Sequence, residues 1–122
     1  VQENGGRVHD CICDPLSPQV YSIIGDMRRR KDADEVALLK RAMHACDAGH
    51  AWGRANIKPG MTELEAYAGV ANAVYAALGQ FTTVYGDFTV SPGSKKRGGP
   101  PTPHVLEAGE FFILDYSVIV QG

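Results

Sequence analysis

In the stretch EFFILDYSVIVQG a single carboxylate, Asp115, interrupts a run of strand-forming apolar side chains. A buried carboxylate is costly unless it is neutralised, paired or given a metal. Two chemistries meet that need. Asp115 accepts hydrogen bonds from backbone amides or an arginine, or marks an edge or bulge position. Alternatively it is a hard oxygen ligand for a divalent cation, which offsets the desolvation, acidifies a bound water and polarises a carbonyl. The residue alone leaves both open. His104, in the loop SPGSKKRGGPPTPH, is either an exposed loop histidine or a substrate-contacting group. Lys95, Lys96 and Arg97 in the same loop suit either a substrate carboxylate or plain solvation. Cys11, Cys13 and Cys46 form no even disulfide framework, and C-x-C is not a zinc-type C-x-x-C pair. They read as ordinary reduced thiols; a soft metal site with His9 lacks ligands at known spacings.

The elements that position these groups follow from periodicity. Residues 1–26 are mixed, with a Gly5-Gly6 turn signal and prolines at 15 and 18, and read as the tail of an upstream domain. The basic run from Arg28 to Lys31 reads as a solvated linker. Asp32 with Glu35 forms a capping-box pattern that starts a helix over about 33–55, with Val36, Leu39, Met43, Cys46 and His50 as its expected core face. After the Pro59-Gly60 turn, Thr62 and Glu65 form a second capping box. The helix it starts has Leu64, Tyr67, Ala71, Val74, Tyr75 and Leu78 as its buried stripe, and Gly79 ends it.

FTTVYGDFTV then reads as strand, broken at Gly86-Asp87, and EFFILDYSVIV as a second strand after a turn at residues 107–110. In the second strand Phe111, Ile113, Asp115, Ser117 and Ile119 share one face, and Phe112, Leu114, Tyr116, Val118 and Val120 the other. Both faces are largely apolar, so the strand is expected to be covered on both sides with Asp115 pointing into a covered face. The fold class expected is α+β, two helices on one sheet.

At 122 residues, with 44% hydrophobic and 21% charged residues, the chain suits one small globular domain. A formal charge of -2 gives no electrostatic reason to expect nucleic acid or an anionic membrane. No stretch approaches the roughly 20 apolar residues of a membrane span, and the N-terminus carries no secretory signal pattern, so a cytoplasmic location is expected.

Four segments, RRRKDADEVALLKRAMHACDAG, IKPGMTELEA, DFTVSPGS and VLEAGEFFILDYSVIVQG, together resemble the first half of the catalytic domain of the creatinase/aminopeptidase or pita-bread family. That family includes Xaa-Pro peptidases, prolidases and methionine aminopeptidases. The basic linker and the KDADEVALLKRA helix make the resemblance closest to the prolidase and creatinase branch. It implies that residues 27–122 are the N-terminal half of a pita-bread catalytic domain, one αα-β-β pseudo-repeat, truncated before its second half. It places Asp115, in ILDYS, at the family's first metal-ligand aspartate. The second aspartate, one histidine and two glutamates of the family's set lie beyond Gly122.

Two positions depart from the pattern. Gly98 stands where active members carry a substrate-contacting histidine in a P-H-x-x-P-T-like loop, and His104 follows the Pro101-Thr102 pair instead of preceding it. Ser117 replaces a glycine frequent in the prolidase branch.

The resemblance implies a metal-dependent peptidase of the prolidase or Xaa-Pro aminopeptidase type in a longer parent, with two divalent ions (Mn, Co, Zn or Fe) and a peptide or small amide substrate. It also implies a homodimer. By itself the 122-residue chain is expected to be inactive and to bind metal weakly or not at all. Gly98 motivates the alternative of a catalytically silent module that binds a peptide or protein partner. A metal-free, creatinase-like C–N hydrolase is a further alternative, which the retained Asp115 argues against.

Overall fold

The computed structural model describes residues 17–91 and 98–121. The chain divides into two compact units, one up to Glu35 and one from Val36 onward. Three helices precede four short strands: α1 (Ser17–Arg29), α2 (Ala33–Asn56), α3 (Glu63–Leu78), β1 (Val84–Asp87), β2 (Val90–Ser91), β3 (Phe111–Phe112) and β4 (Asp115–Val118). The class is α+β, as expected. No described helix is long and apolar enough to cross a membrane.

Helix α1 takes in residues 17–26, for which the sequence reading named no helix. Pro18 falls in the first turn, where a helix needs no N–H from it, so it does not break the helix. Arg28 and Arg29, read as linker, occupy the last turn, where cations complement the helix dipole.

Helix α2 starts as expected. The Asp32 carboxylate accepts from the Glu35 N–H and Glu35 accepts from the Asp32 N–H, both at 2.9 Å. Its buried face is not the expected one. Ala45, Gly49 and Gly53 are buried, and Leu38 and Ala42 pack against the core, whereas Leu39 and Met43 are 51% and 61% exposed. Small residues at every fourth position let the helix axis come close to its neighbours, a gain in contact that outweighs the larger side chains of the other stripe. Gly69 likewise admits the Trp52 ring: a Cβ there would lie 1.8 Å from it.

Helix α3 has both halves of the Thr62–Glu65 capping box and ends at Gly79 in the left-handed conformation, at φ 68°. Of the expected stripe, Ala71, Val74 and Leu78 are buried and Tyr67 and Tyr75 pack at its margins, and Ala66 and Val70, which the stripe left out, are buried as well. Leu64 is the exception, at 46% exposure.

The strands pair as β1 with β4 and β2 with β3, both antiparallel. Val84 faces Val118, Asp87 faces Asp115, and Val90 faces Phe112, so both pairings keep one register. Outside the strands the same register is kept by Ile119 N–H to Thr83 C=O at 3.2 Å and Ile113 N–H to Thr89 C=O at 2.8 Å. The break expected at Gly86-Asp87 falls instead at Phe88, whose N–H leaves the ladder and donates to Gly99 C=O at 2.9 Å. Gly86 stays in the strand because the strands approach closely there; a Cβ would lie 2.1 Å from the Asp115 carbonyl oxygen.

The alternation of β3 and β4 holds, with Phe112, Leu114, Tyr116, Val118 and Val120 all packed into the core with α2 and α3. The expected second cover is not found among the described residues: Asp115 and Ser117 are exposed, Phe111 is 79% exposed and Ile119 41%. Helices α2 and α3 pack on the face of the ladder that carries Tyr116 and Val118. Phe88, fully buried, stacks on Tyr116 at 5.5 Å between ring centroids and meets Tyr67 edge-on at 4.9 Å. The Tyr116 hydroxyl donates to the Cys46 carbonyl of α2 at 2.7 Å, and burial is the main cause that pushes its pKa up to about 12.

Candidate functional site

Asp115 begins β4 and its register partner is Asp87, the last residue of β1. Partners across an antiparallel ladder project to the same face, so two carboxylates stand side by side on the uncovered face. Like charges so placed repel, and a cation between them relieves the repulsion. Asp87 is a residue that the sequence reading missed. Gly-Asp looked like a strand break, and only the register makes it a neighbour of Asp115. The premise that Asp115 is buried is corrected, since its side chain is exposed. Among the described residues its carboxylate has no hydrogen-bond or ion-pair partner.

Gly98 packs on Asp87. A Cβ at position 98 would lie 2.3 Å from Asp87 Oδ2 and 2.6 Å from its Cγ, so any side chain there requires Asp87 to move. The departure from the expected histidine thus has a local physical correlate: the carboxylate of Asp87 fills the space that a side chain at position 98 needs first.

A cavity of about 490 Å³ is bounded by Gly98 together with Glu63, Val90, Thr102, His104 and Glu110. It brings Gly98 and His104 together; Asp115 is not part of its wall. His104 Nε2 sits 3.0 and 3.1 Å from the two Glu110 carboxylate oxygens. Glu110 also accepts the Glu107 N–H at 2.7 Å. The bond to Glu110 raises the His104 pKa above its ordinary value, and the Glu107 amide, then His104, lower that of Glu110. His104 is therefore exposed but anchored, with one ring nitrogen committed to a carboxylate.

Glu63, the first residue of α3, is only 2% exposed. Its carboxylate accepts three hydrogen bonds: from Val90 N–H at 2.7 Å, Thr102 N–H at 2.8 Å and the Thr102 hydroxyl at 2.6 Å. Burial pushes its pKa up, but the bonds from Thr102 and Val90 outweigh that and the net pKa is lowered, so the buried group stays ionised. The segment after Thr102 is strapped to the start of α3 by Glu63 N–H to His104 C=O at 3.0 Å, Leu106 N–H to Met61 C=O at 2.8 Å and Gly60 N–H to Leu106 C=O at 2.9 Å. In the sequence Glu63 read only as part of a helix start; its neighbour Glu65 made the recognisable capping pattern.

Lys95, Lys96 and Arg97, and likewise His9, Cys11 and Cys13, lie outside the described residues. Cys46 is half-buried on α2, and burial followed by Asp47 raises its thiol pKa, so it is a protonated and poorly reactive thiol.

No group of three or more His, Cys, Asp or Glu that could hold a metal occurs among the described residues. Asp115, with Asp87 opposite, supplies hard oxygen donors of the type that divalent ions prefer, on a rigid ladder and open to one side. That donor chemistry fits a divalent ion in part: two carboxylates start a site and further ligands must complete it.

No curated protein and no solved structure matches the chain. One family model does match, over residues 37–122, a span that takes in α3, the whole ladder, Asp87, Gly98 and Asp115. With far more than half of its length so matched, the chain belongs to metallopeptidase family M24.

Proposed function

We propose that this chain is part of a metal-dependent peptidase of the prolidase or Xaa-Pro aminopeptidase type and carries one of its metal ligands. In this reading residues 27–122 form the first half of a pita-bread catalytic domain and Asp115 is a metal ligand. The observation that carries it is the M24 match across residues 37–122, which contains Asp115. Its exposure on a ladder face that no described element covers supports the role. A divalent ion bound there acidifies a water and polarises the scissile carbonyl. The chain's own part is to hold the Asp115 carboxylate at a set height on β4, with the Asp87 carboxylate opposite it as a second oxygen donor. His104, held by Glu110 at the cavity rim, offers a cationic N–H to a substrate carbonyl or carboxylate.

The test, on the full-length parent protein, is hydrolysis of Xaa-Pro dipeptides and of peptides with proline second, with Mn2+, Co2+, Zn2+ or Fe2+ added singly, together with elemental analysis. Metal-dependent release of the residue before proline, lost in Asp115→Asn, is the expected result. Protein that binds none of these metals overturns the proposal.

One observation favours a second reading, a catalytically silent module that binds a peptide. Position 98 has no room for a side chain while Asp87 keeps its place, so the family histidine has no direct replacement there. Peptide binding at unchanged affinity in the presence of a chelator, with no cleavage, would select it.

A further inference from the structure

Glu63 does more than start a helix. Its carboxylate reaches residues that are 27 and 39 positions away, and these two residues, Val90 and Thr102, are the two stems of the loop that carries Gly98. An ionised carboxylate has only acceptor sites, about four of them, and here three are taken by donors. Its place at the first position of α3 adds the favourable end of the helix dipole. A glutamine in the same place has to turn an NH2 group towards either the Val90 N–H or the two Thr102 donors, so it cannot satisfy both stems. Gly98 lies against Asp87, and Gly99 accepts the Phe88 N–H that leaves the ladder one residue after Asp87.

We infer that Glu63 is a positioning residue. It clamps both stems of the 91–102 connection and so sets where Gly98 and Gly99 lie against Asp87, beside Asp115. The clamp also walls the cavity that Gly98 shares with His104, so it acts on the space available to substrate. That consequence for substrate rests on the peptidase reading; the clamp itself does not.

The experiment compares Glu63→Gln with Glu65→Gln on the full chain by amide hydrogen exchange. Glu65 supplies the control because its carboxylate serves the same helix start, accepting the Thr62 N–H, but touches neither stem. Loss of hydrogen bonds to a charged group predicts that exchange of the Phe88 and Thr102 amides speeds about tenfold or more in Glu63→Gln relative to the amides of α3. In Glu65→Gln any increase falls on the first turn of α3 and leaves Phe88 unchanged.

Equal acceleration of all slow amides in Glu63→Gln, or none at Phe88, overturns the proposal and leaves Glu63 a purely structural residue. Should Glu63→Gln fail to fold, Thr102→Val, which keeps the Val90 bond but removes the hydroxyl that donates to Glu63 and accepts the His104 N–H, gives the same reading at Phe88. In a full-length parent that hydrolyses peptide, Glu63→Gln raises KM with a smaller change in kcat, and Glu65→Gln moves neither. Absence of any hydrolysis by that parent sinks the peptidase reading, while the exchange data still decide the clamp.

Discussion

On one face of the β1–β4 ladder, Val84, Tyr116 and Val118 pack with Phe88 against two helices; on the other, Tyr85, Asp87, Asp115 and Ser117 face outward. The same four residue pairs make both faces. On the packed face the polar atom of Tyr116 is bonded to a helix carbonyl, and aromatic rings stack around it. On the open face two carboxylates sit opposite each other, an arrangement that costs stability. Folding accounts for every residue of the first face and for neither aspartate of the second. Charges that a fold does not need, held on a rigid support, are where ligand chemistry is to be sought.

Substitutions on the two faces should therefore have opposite consequences. The largest effect is expected for Phe88→Ala, which empties a fully buried aromatic position at the centre of the packed face and costs about 3–5 kcal/mol by urea denaturation. A loss below about 1 kcal/mol would mean that the aromatic column is not the core it is taken to be.

Gly49→Ala is expected next. Its Cβ would lie 2.2 Å from the Tyr116 hydroxyl oxygen, so Tyr116 or α2 must shift, at about 1–3 kcal/mol.

Asp115→Asn on the open face has the reverse sign. Removing one of two facing charges raises metal-free stability by about 0.2–1 kcal/mol while abolishing divalent-ion binding, read by denaturation and by titration calorimetry with Mn2+. A loss of stability in the absence of metal would show that Asp115 is a structural group after all.

The smallest effect concerns the His104–Glu110 pair. The folded pKa of His104 is raised, so its contribution is full below its ordinary value of 6.5 and is lost as pH rises through the folded value. The folded pKa of Glu110 is lowered, so its contribution is present above its ordinary 4.5 and is lost as pH falls through the folded value. The stability difference between wild type and His104→Gln should thus be greatest between pH 4.5 and 6.5 and shrink in alkali, measured as denaturation midpoints across pH. A difference that grows above neutrality would contradict the pairing.

How far the sequence was legible depended on the range of the interaction. The Thr62–Glu65 and Asp32–Glu35 boxes and the Gly79 terminator are bonded within a few residues, and they were read correctly. The period-two alternation of β3 and β4 was also correct, because pleating fixes it locally. The buried face of α2 was misread. Large apolar residues at 36, 39 and 43 outvoted the small stripe of Ala45, Gly49 and Gly53, whose value appears only when Tyr116 and Val70 lie against it. α1 was missed although its one proline, Pro18, falls in the first turn, where a helix tolerates it.

The sequence by itself determined the α+β class, the helix boundaries marked by caps, the two segments that the structure splits into two short strands each, and the choice of Asp115 as the residue with unexplained chemistry. Those depend on side-chain type, local hydrogen bonding and period. Only the tertiary structure decided that Asp87 faces Asp115, that the Asp87 carboxylate takes the space a side chain at position 98 needs, and that one buried glutamate holds both stems of a loop. Each of these is a meeting of segments tens of residues apart. Register and loop placement are set by how whole faces pack, and no local pattern encodes them.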